Sequence, residues 1–302
     1  MSEGTTRTVL AAFAGNMAIA ITKAIAAALT GSGALLAETA HSIADSLNQI
    51  LLYVGLRRSA RPATELHPLG HGKEGYFWAL VVALFLFFGG GVFSIYQAYD
   101  RLIHPHEVEQ ALVGFVVLGL STVFELFSLS VALRELRHAA RDEGVPVRQF
   151  FRQLRDPALR TVLYEDSAAI AGLATALAGL ALTVATGDQR FDALASAVIG
   201  LVLIYVAYQL AWNARGLIVG QAPPEQVRDA LEATIASEPY IDKVVELLAV
   251  QIGTDQLLVM ARVSVSDEIP AGTVERLMVR LRQRLRREHP EVTDSFIELA
   301  PS

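Results

Sequence analysis

His41 and Asp45 stand one helical turn apart within the apolar stretch 34–56, and Glu38 and Asn48 extend the series at spacings of three. Spacings of three and four put side chains on one face of a helix. An imidazole nitrogen and a carboxylate oxygen so placed can converge on one small cation, at about 2.0–2.2 Å for tetrahedral zinc. Two further donors must then come from elsewhere. Glu165 and Asp166 open another run rich in Ala, Leu and Ile and are the acids available for that. The plainer alternative is that one of them caps its helix or pairs with Lys23. An ionisable group inside a membrane helix costs roughly 2.5–3.5 kcal/mol on insertion scales, so each should have a function or a partner.

Lys23 and Glu125 are isolated charges in apolar surroundings, and Asn16 lies seven residues before Lys23 on the same helical face. That face should look into a bundle, with Lys23 paired to Glu125 or to Glu165. A fixed pair that orders helices and a role in proton movement or charge balance are both open. In His67-Pro68-Leu69-Gly70-His71-Gly72-Lys73-Glu74, two histidines four apart lie between glycines. They form either a second metal site or a rigid turn with exposed rings. Gly89, Gly90 and Gly91, and Ser196 with Gly200, permit close helix contact. His104, His106 and His138 read as solvated surface residues.

The elements that must position these residues follow from hydropathy. With 53% hydrophobic and 19% charged residues, the 302-residue chain is too apolar for an ordinary soluble domain. A bilayer core of about 30 Å needs roughly 20 apolar residues per helix. Six stretches qualify, at about 8–30, 34–56, 76–100, 111–133, 161–186 and 191–216. Arg57, Arg58, Arg61 and Lys73 follow the second; Arg134, Arg137, Arg141, Arg148, Arg152, Arg155 and Arg160 follow the fourth. The opposite connections hold only Arg101 and Arg190, so both termini are placed in the cytoplasm. Val147, Phe150, Phe151 and Leu154 suggest a short interfacial helix among those arginines, a disordered connection being the alternative.

After Gly220 the pattern turns soluble: a helix over 225–237, a hairpin within 243–265 turning at Gly253-Thr254-Asp255, a helix over 273–288 and a strand over 293–299. The expected fold is therefore an all-α membrane domain of six transmembrane helices (1–219) plus a small α+β domain, α-β-β-α-β, over 220–302. The arginine-rich face of the last helix is read as solvated, with acids of its own or a twin domain, or lipid headgroups, as alternatives. Without cysteine there is no disulfide or thiolate cage, so a metal must use His, Asp, Glu or Asn. The net charge of −6 gives no support for nucleic-acid binding. Met1–Arg7 has no features of a cleaved signal or of an Arg- and Ser-rich mitochondrial leader, so the first segment should stay as a helix in a bacterial plasma membrane.

The compound pattern resembles the cation diffusion facilitator family from about Phe13 to the C-terminus. It comprises Thr30-Gly31-Ser32, then Ala37-Glu38-Thr39-Ala40-His41-Ser42-Ile43-Ala44-Asp45, the His67–Glu74 loop, the fifth-segment acids and Gly216–Gly220. Asn48-Gln49, Tyr76-Phe77-Trp78 and Tyr164–Ala169 look like the branch that also contains the mitochondrial zinc exporter of animals. The resemblance implies six helices, a metallochaperone-like cytoplasmic domain, a homodimer, and export of zinc against protons by alternating access, with Mn2+, Fe2+ or Co2+ as alternative cargo. No organic cofactor and no catalytic residue is implied.

Three departures stand out. The family's fifth-helix histidine falls on Val162, which cannot ligate, so Glu165, Glu125 or a water must complete an oxygen-richer site. After His138 the chain has only His289, which leaves the family's C-terminal zinc pair without ligands. The family's acid partner for Lys73 falls at about Gly220. Outside transport, a membrane scaffold or metal sensor has no need of buried His41 and Asp45, and an intramembrane zinc hydrolase lacks a His-Glu-x-x-His motif.

Overall fold

The computed structural model describes residues 3–105, 108, 110–153, 157–254, 256–266 and 270–300; His106, Leu154, Arg155 and Asp255 lie outside them. The chain is mostly helical and ends in a small sheet. In order come α1 (Glu3–Thr30), α2 (Gly33–Ser59), α3 (Glu74–Phe85), a π-helical segment (Leu86–Val92), α4 (Phe93–Ile103), α5 (Ala111–Asp142), α6 (Val147–Gln153), α7 (Pro157–Thr186), α8 (Arg190–Val219), α9 (Glu225–Ala236), β1 (Ile241–Gly253), β2 (Gln256–Val265), α10 (Ala271–Glu288) and β3 (Val292–Leu299). Two compact units result: Met1–Arg57 with Phe77–Ala214, and Arg58–Tyr76 with Arg215–Ser302.

Among the described residues, four helices are long and apolar enough to cross a membrane: Glu74–Ile103, Ala111–Asp142, Leu159–Thr186 and Arg190–Val219. A shorter apolar helical stretch covers Asn16–Thr30. At 27 residues α2 has the length, but Glu38, His41, Asp45 and Asn48 lower its apolarity. Its polar face is what separates it from the other four. Many side chains along the long helices face outward and apolar, including Phe88, Phe127 and Leu201, as lipid contact requires.

Helix contacts are close where glycine allows them. A Cβ on Gly91 would meet Ile204 at 2.6 Å, and one on Gly200 would meet the Gly91 carbonyl at 2.9 Å, so the π-helical segment and α8 touch at backbone level. Gly89 has open space around it and takes no part. The π-helical turn itself falls on the Gly-Gly-Gly run, where side-chain packing cannot hold a regular helix in register.

Gly31-Ser32, after Thr30 at the end of α1, is the hinge between α1 and α2. Gly31 takes φ +66°, and the Ser32 amide donates to Thr30 Oγ1 at 3.2 Å. The first amides of α2 are then met by a side chain from another helix: Asp192 of α8 accepts from Ser32 Oγ and from the amides of Gly33 and Ala34. A carboxylate facing the positive end of a helix is both cap and counter-charge. Asp192 is buried, so Asp192→Ala should lower stability by about 2 kcal/mol, visible as a reduced unfolding temperature of the purified protein.

In the second unit the sheet order is β1-β2-β3, with β1–β2 antiparallel and β2–β3 parallel. The α10 helix is the crossover that a parallel pair needs. Leu257, Val259, Ala261 and Val263 alternate inward from β2, and Leu277, Leu281 and Leu285 recur at four-residue spacing on α10. The β2 residues with Leu281 and Leu285 meet Leu231 and Ile235 of α9 in one core. The element order α-β-β-α-β is the one expected.

Solvation alone does not account for the arginines of α10. Arg284 pairs with buried Glu238 and with Glu288, each at 2.9 Å, and Arg286 with Asp294 at 3.4 Å. The Arg284 hydrogen bond holds the Glu288 carboxyl below its ordinary range. That contribution to stability is present above the ordinary carboxylate range and fades as pH falls through it. His289, the one C-terminal histidine, is engaged by Thr234 Oγ1 at 2.9 Å.

Candidate metal-transport site

The helical face read from spacing is real: Glu38, His41 and Asn48 are buried on α2, with Asp45 largely so. His41 Nε2 lies 3.4 Å from Asp45 Oδ2, yet among the described residues neither ring nitrogen has a hydrogen-bond partner, nor does Asp45 Oδ1. A buried polar atom without a partner costs about 1–3 kcal/mol, which a fold tolerates where something else is to bind.

Facing α2 is α7. Its acids are not at the helix start, because α7 begins at Pro157, two turns earlier. Neither acid therefore caps it. Glu165 accepts from Asn48 Nδ2 at 2.6 Å, and Asp166 accepts from Ser128 Oγ of α5 at 2.8 Å. A cavity of about 610 Å³ runs between α1, α2, α5 and α7, and its wall carries Asp45, Glu125, Glu165 and Asp166 together with Asn16, Gln49 and Ser128. Four carboxylates thus face one space. His41 does not line that cavity itself and reaches it through Asp45. A recess of about 10 Å³ between Asn16, Ser42, Asp45 and Glu125, close to the size of one water, adjoins the same residues. Among the described residues no three His, Asp or Glu side chains stand within metal-holding distance of one another, so the donors would have to close on the ion.

Lys23 does not pair with Glu125 or Glu165. Its Nζ donates to Glu38 Oε2 at 3.1 Å and to Ser42 Oγ at 2.8 Å, all three groups being buried. The reason is geometric: a short hinge at Gly31 sets α1 antiparallel beside α2, which brings the two helices level here. Gly172 of α7 makes room for the pair, since a Cβ there would strike Glu38 Oε1.

His67 and His71 belong to the other unit. His67 is exposed and His71 half-buried, their rings 4.5 Å apart, and His71 Nδ1 is 3.1 Å from the Pro62 carbonyl. Gly72 is pressed against the Ile252 carbonyl and Gly253 in the β1–β2 hairpin, so the segment is a docked turn. Lys73, with no acidic partner among the described residues, donates to the Ile218 carbonyl at 3.2 Å in the last turn of α8, a favourable place for a cation. His104 and His138 are exposed and pair with Asp100 and Asp142.

Sequence reasoning gave no site role to Ser128, Gln49, Ser42 or Gly172. Ser128 had a signal, being three residues after Glu125 and so on the same face of α5. Gly172 had none.

Four long apolar helices, a cavity walled by carboxylates beside an unpartnered histidine, and a small α+β domain are the parts a membrane protein that handles a cation needs. Residues 9–219 match the cation efflux transmembrane domain. The chain belongs to the cation efflux family, also called the cation diffusion facilitators, whose members are multi-pass membrane transporters and not enzymes. It is 33% identical over 248 residues to the mitochondrial proton-coupled zinc antiporter SLC30A9 of Xenopus laevis, covering 82% of this chain and 44% of that protein. Metal tolerance protein C4 of Arabidopsis thaliana is 30% identical over 240 residues, or 80% of this chain and 52% of that one. The chain spans about half the length of these two relatives. The cation-efflux pump FieF of Klebsiella pneumoniae (strain 342) is 26% identical over 298 residues, or 98% of this chain and 92% of the pump.

Proposed function

We propose that this protein exports a divalent transition-metal cation, zinc first, in exchange for protons, as a homodimer with six transmembrane helices and both termini in the cytoplasm. The observation that carries the reading is the cavity on whose wall Asp45, Glu125, Glu165 and Asp166 meet, beside His41 with both ring nitrogens unpartnered. In this reading His41, Asp45 and Asp166 grip the ion, and Glu165 takes the place left by Val162. Glu125 and the Lys23–Glu38 pair balance charge, while Asn48 holds Glu165. The relatives named as proton-coupled zinc antiporters support the cargo and the counter-ion. The arginines after the second and fourth spans support the orientation. The metal is substrate here and passes through.

Ligation requires a neutral imidazole and ionised carboxylates, so loading the ion releases protons and a more acidic far side reloads them. Alternating exposure of this one site then couples metal movement outward to proton movement inward. The oxygen-rich donor set favours a second cargo, Mn2+, Fe2+ or Co2+, over a site restricted to zinc. In proteoliposomes with an imposed pH step, zinc flux should rise with the step, and excess Mn2+ should slow it. Zinc that binds but does not move under any gradient would mark the protein as a sensor or scaffold and overturn the proposal.

A further inference from the structure

A second cavity, about 740 Å³, lies between α5, α6, α7 and α8 and contains none of the residues assigned to the cation. Its volume is within the range of about 300–1,000 Å³ typical of small-molecule sites. Leu133, Phe151, Leu163 and Val202 make its wall apolar, and among the described residues Arg148 is the one charged side chain on it, with no carboxylate. An apolar groove with a single cation on its wall matches an acyl chain joined to an anionic headgroup.

The slot is held open by fixed parts. Phe150 of α6 is buried against Ala132 and Leu136 of α5 and Leu163 of α7. Arg160 of α7 donates to the carbonyls of Phe151 and Arg152 at 3.0 and 3.4 Å, capping the end of α6, and to Asn213 Oδ1 of α8 at 2.5 Å. Its guanidinium also lies over the Phe151 ring, 5.8 Å from the centroid. One half-buried arginine of α7 thus ties α6 and α8 together.

Two features place Arg148 at headgroup depth. Tyr205, on the slot wall, begins an exposed aromatic series with Tyr208 and Trp212, a composition favoured at membrane interfaces. The segment 134–152 carries five arginines against three acids, an excess that attracts anionic lipid. A second copy of the chain fits the slot less well, because a twofold contact there would bring Arg148 toward its own counterpart with no acid on the wall to offset it.

We propose that this groove holds an acyl chain of an anionic phospholipid whose phosphate pairs with Arg148. The proposal rests on the membrane reading and is independent of which cation is carried.

Native mass spectrometry of the purified full chain with phosphatidylglycerol or phosphatidylcholine tests it. Wild type should retain phosphatidylglycerol about fivefold better, the preference expected for one arginine at a membrane surface. Arg148→Gln should lose that preference, Arg141→Gln, exposed and outside the groove, should keep it, and Ser167→Phe, which fills the slot from an exposed position, should lower occupancy by both lipids. Zinc flux and elution volume show that each variant is folded. An unchanged preference in Arg148→Gln, unchanged occupancy in Ser167→Phe, or a disulfide between protomers formed through Tyr205→Cys would overturn the assignment.

Discussion

Proteoliposomes carrying His41→Ala should move zinc at least about a hundredfold more slowly than wild type, while the protein keeps its elution volume and its unfolding temperature. Both halves follow from the same observation. An imidazole buried to 1% exposure with neither nitrogen hydrogen-bonded contributes little polar stabilisation, and leaving such a group unpartnered costs about 1–3 kcal/mol. Its removal therefore spares the fold. Losing a group that only orients a metal ligand already costs about 10–100-fold, and a lost ligand should cost no less. Flux near the wild-type rate would remove His41 from the site and leave the carboxylates of Asp45, Glu165 and Asp166 to act alone.

Lys23→Met has the opposite profile. Removing one partner of a buried ion pair strands the other, typically at a cost of about 3–5 kcal/mol, so this variant should be strongly destabilised with Glu38 left facing Gly172. The double variant Lys23→Met with Glu38→Gln should recover most of that stability, since no bare charge then remains. Thermal unfolding of the three proteins measures the recovery. The double variant also separates the two roles open to the pair: zinc flux that still responds to a pH step assigns it to helix packing, and flux that no longer responds assigns it to charge balance or proton movement. A single variant as stable as wild type would mean that Lys23 and Glu38 are not paired in the membrane.

Local periodicity made much of the molecule legible. The α2 series needs only the helical repeat, and the soluble tail needs only alternation in β2 and four-residue spacing in α10. Partners across the fold were harder, and Lys23 shows why. Its pairing depends on depth along two helices joined by a two-residue hinge. Counting about 1.5 Å per residue from the hinge puts Lys23 about 13 Å down α1, between Glu38 at about 10 Å and Ser42 at about 16 Å on α2. The information was in the chain, but only once the hinge was known to be short. Asp192 hid differently: an acid in the first turn of α8 reads as serving its own helix, whereas it caps α2. Lys73 was legible as a residue missing its acid, but the carbonyl that replaces it belongs to backbone geometry. The unpaired His41 and the cavity wall depend on side-chain directions from four helices, which no one-dimensional pattern contains.

Locating the cargo is the most direct measurement. An anomalous-difference map at the zinc edge from crystals of the zinc-loaded protein should show one strong peak per protomer between α2 and α7, about 2.0–2.2 Å from atoms of His41, Asp45 and Asp166. A peak found only beside His67 and His71, with none near Asp45, would contradict the account.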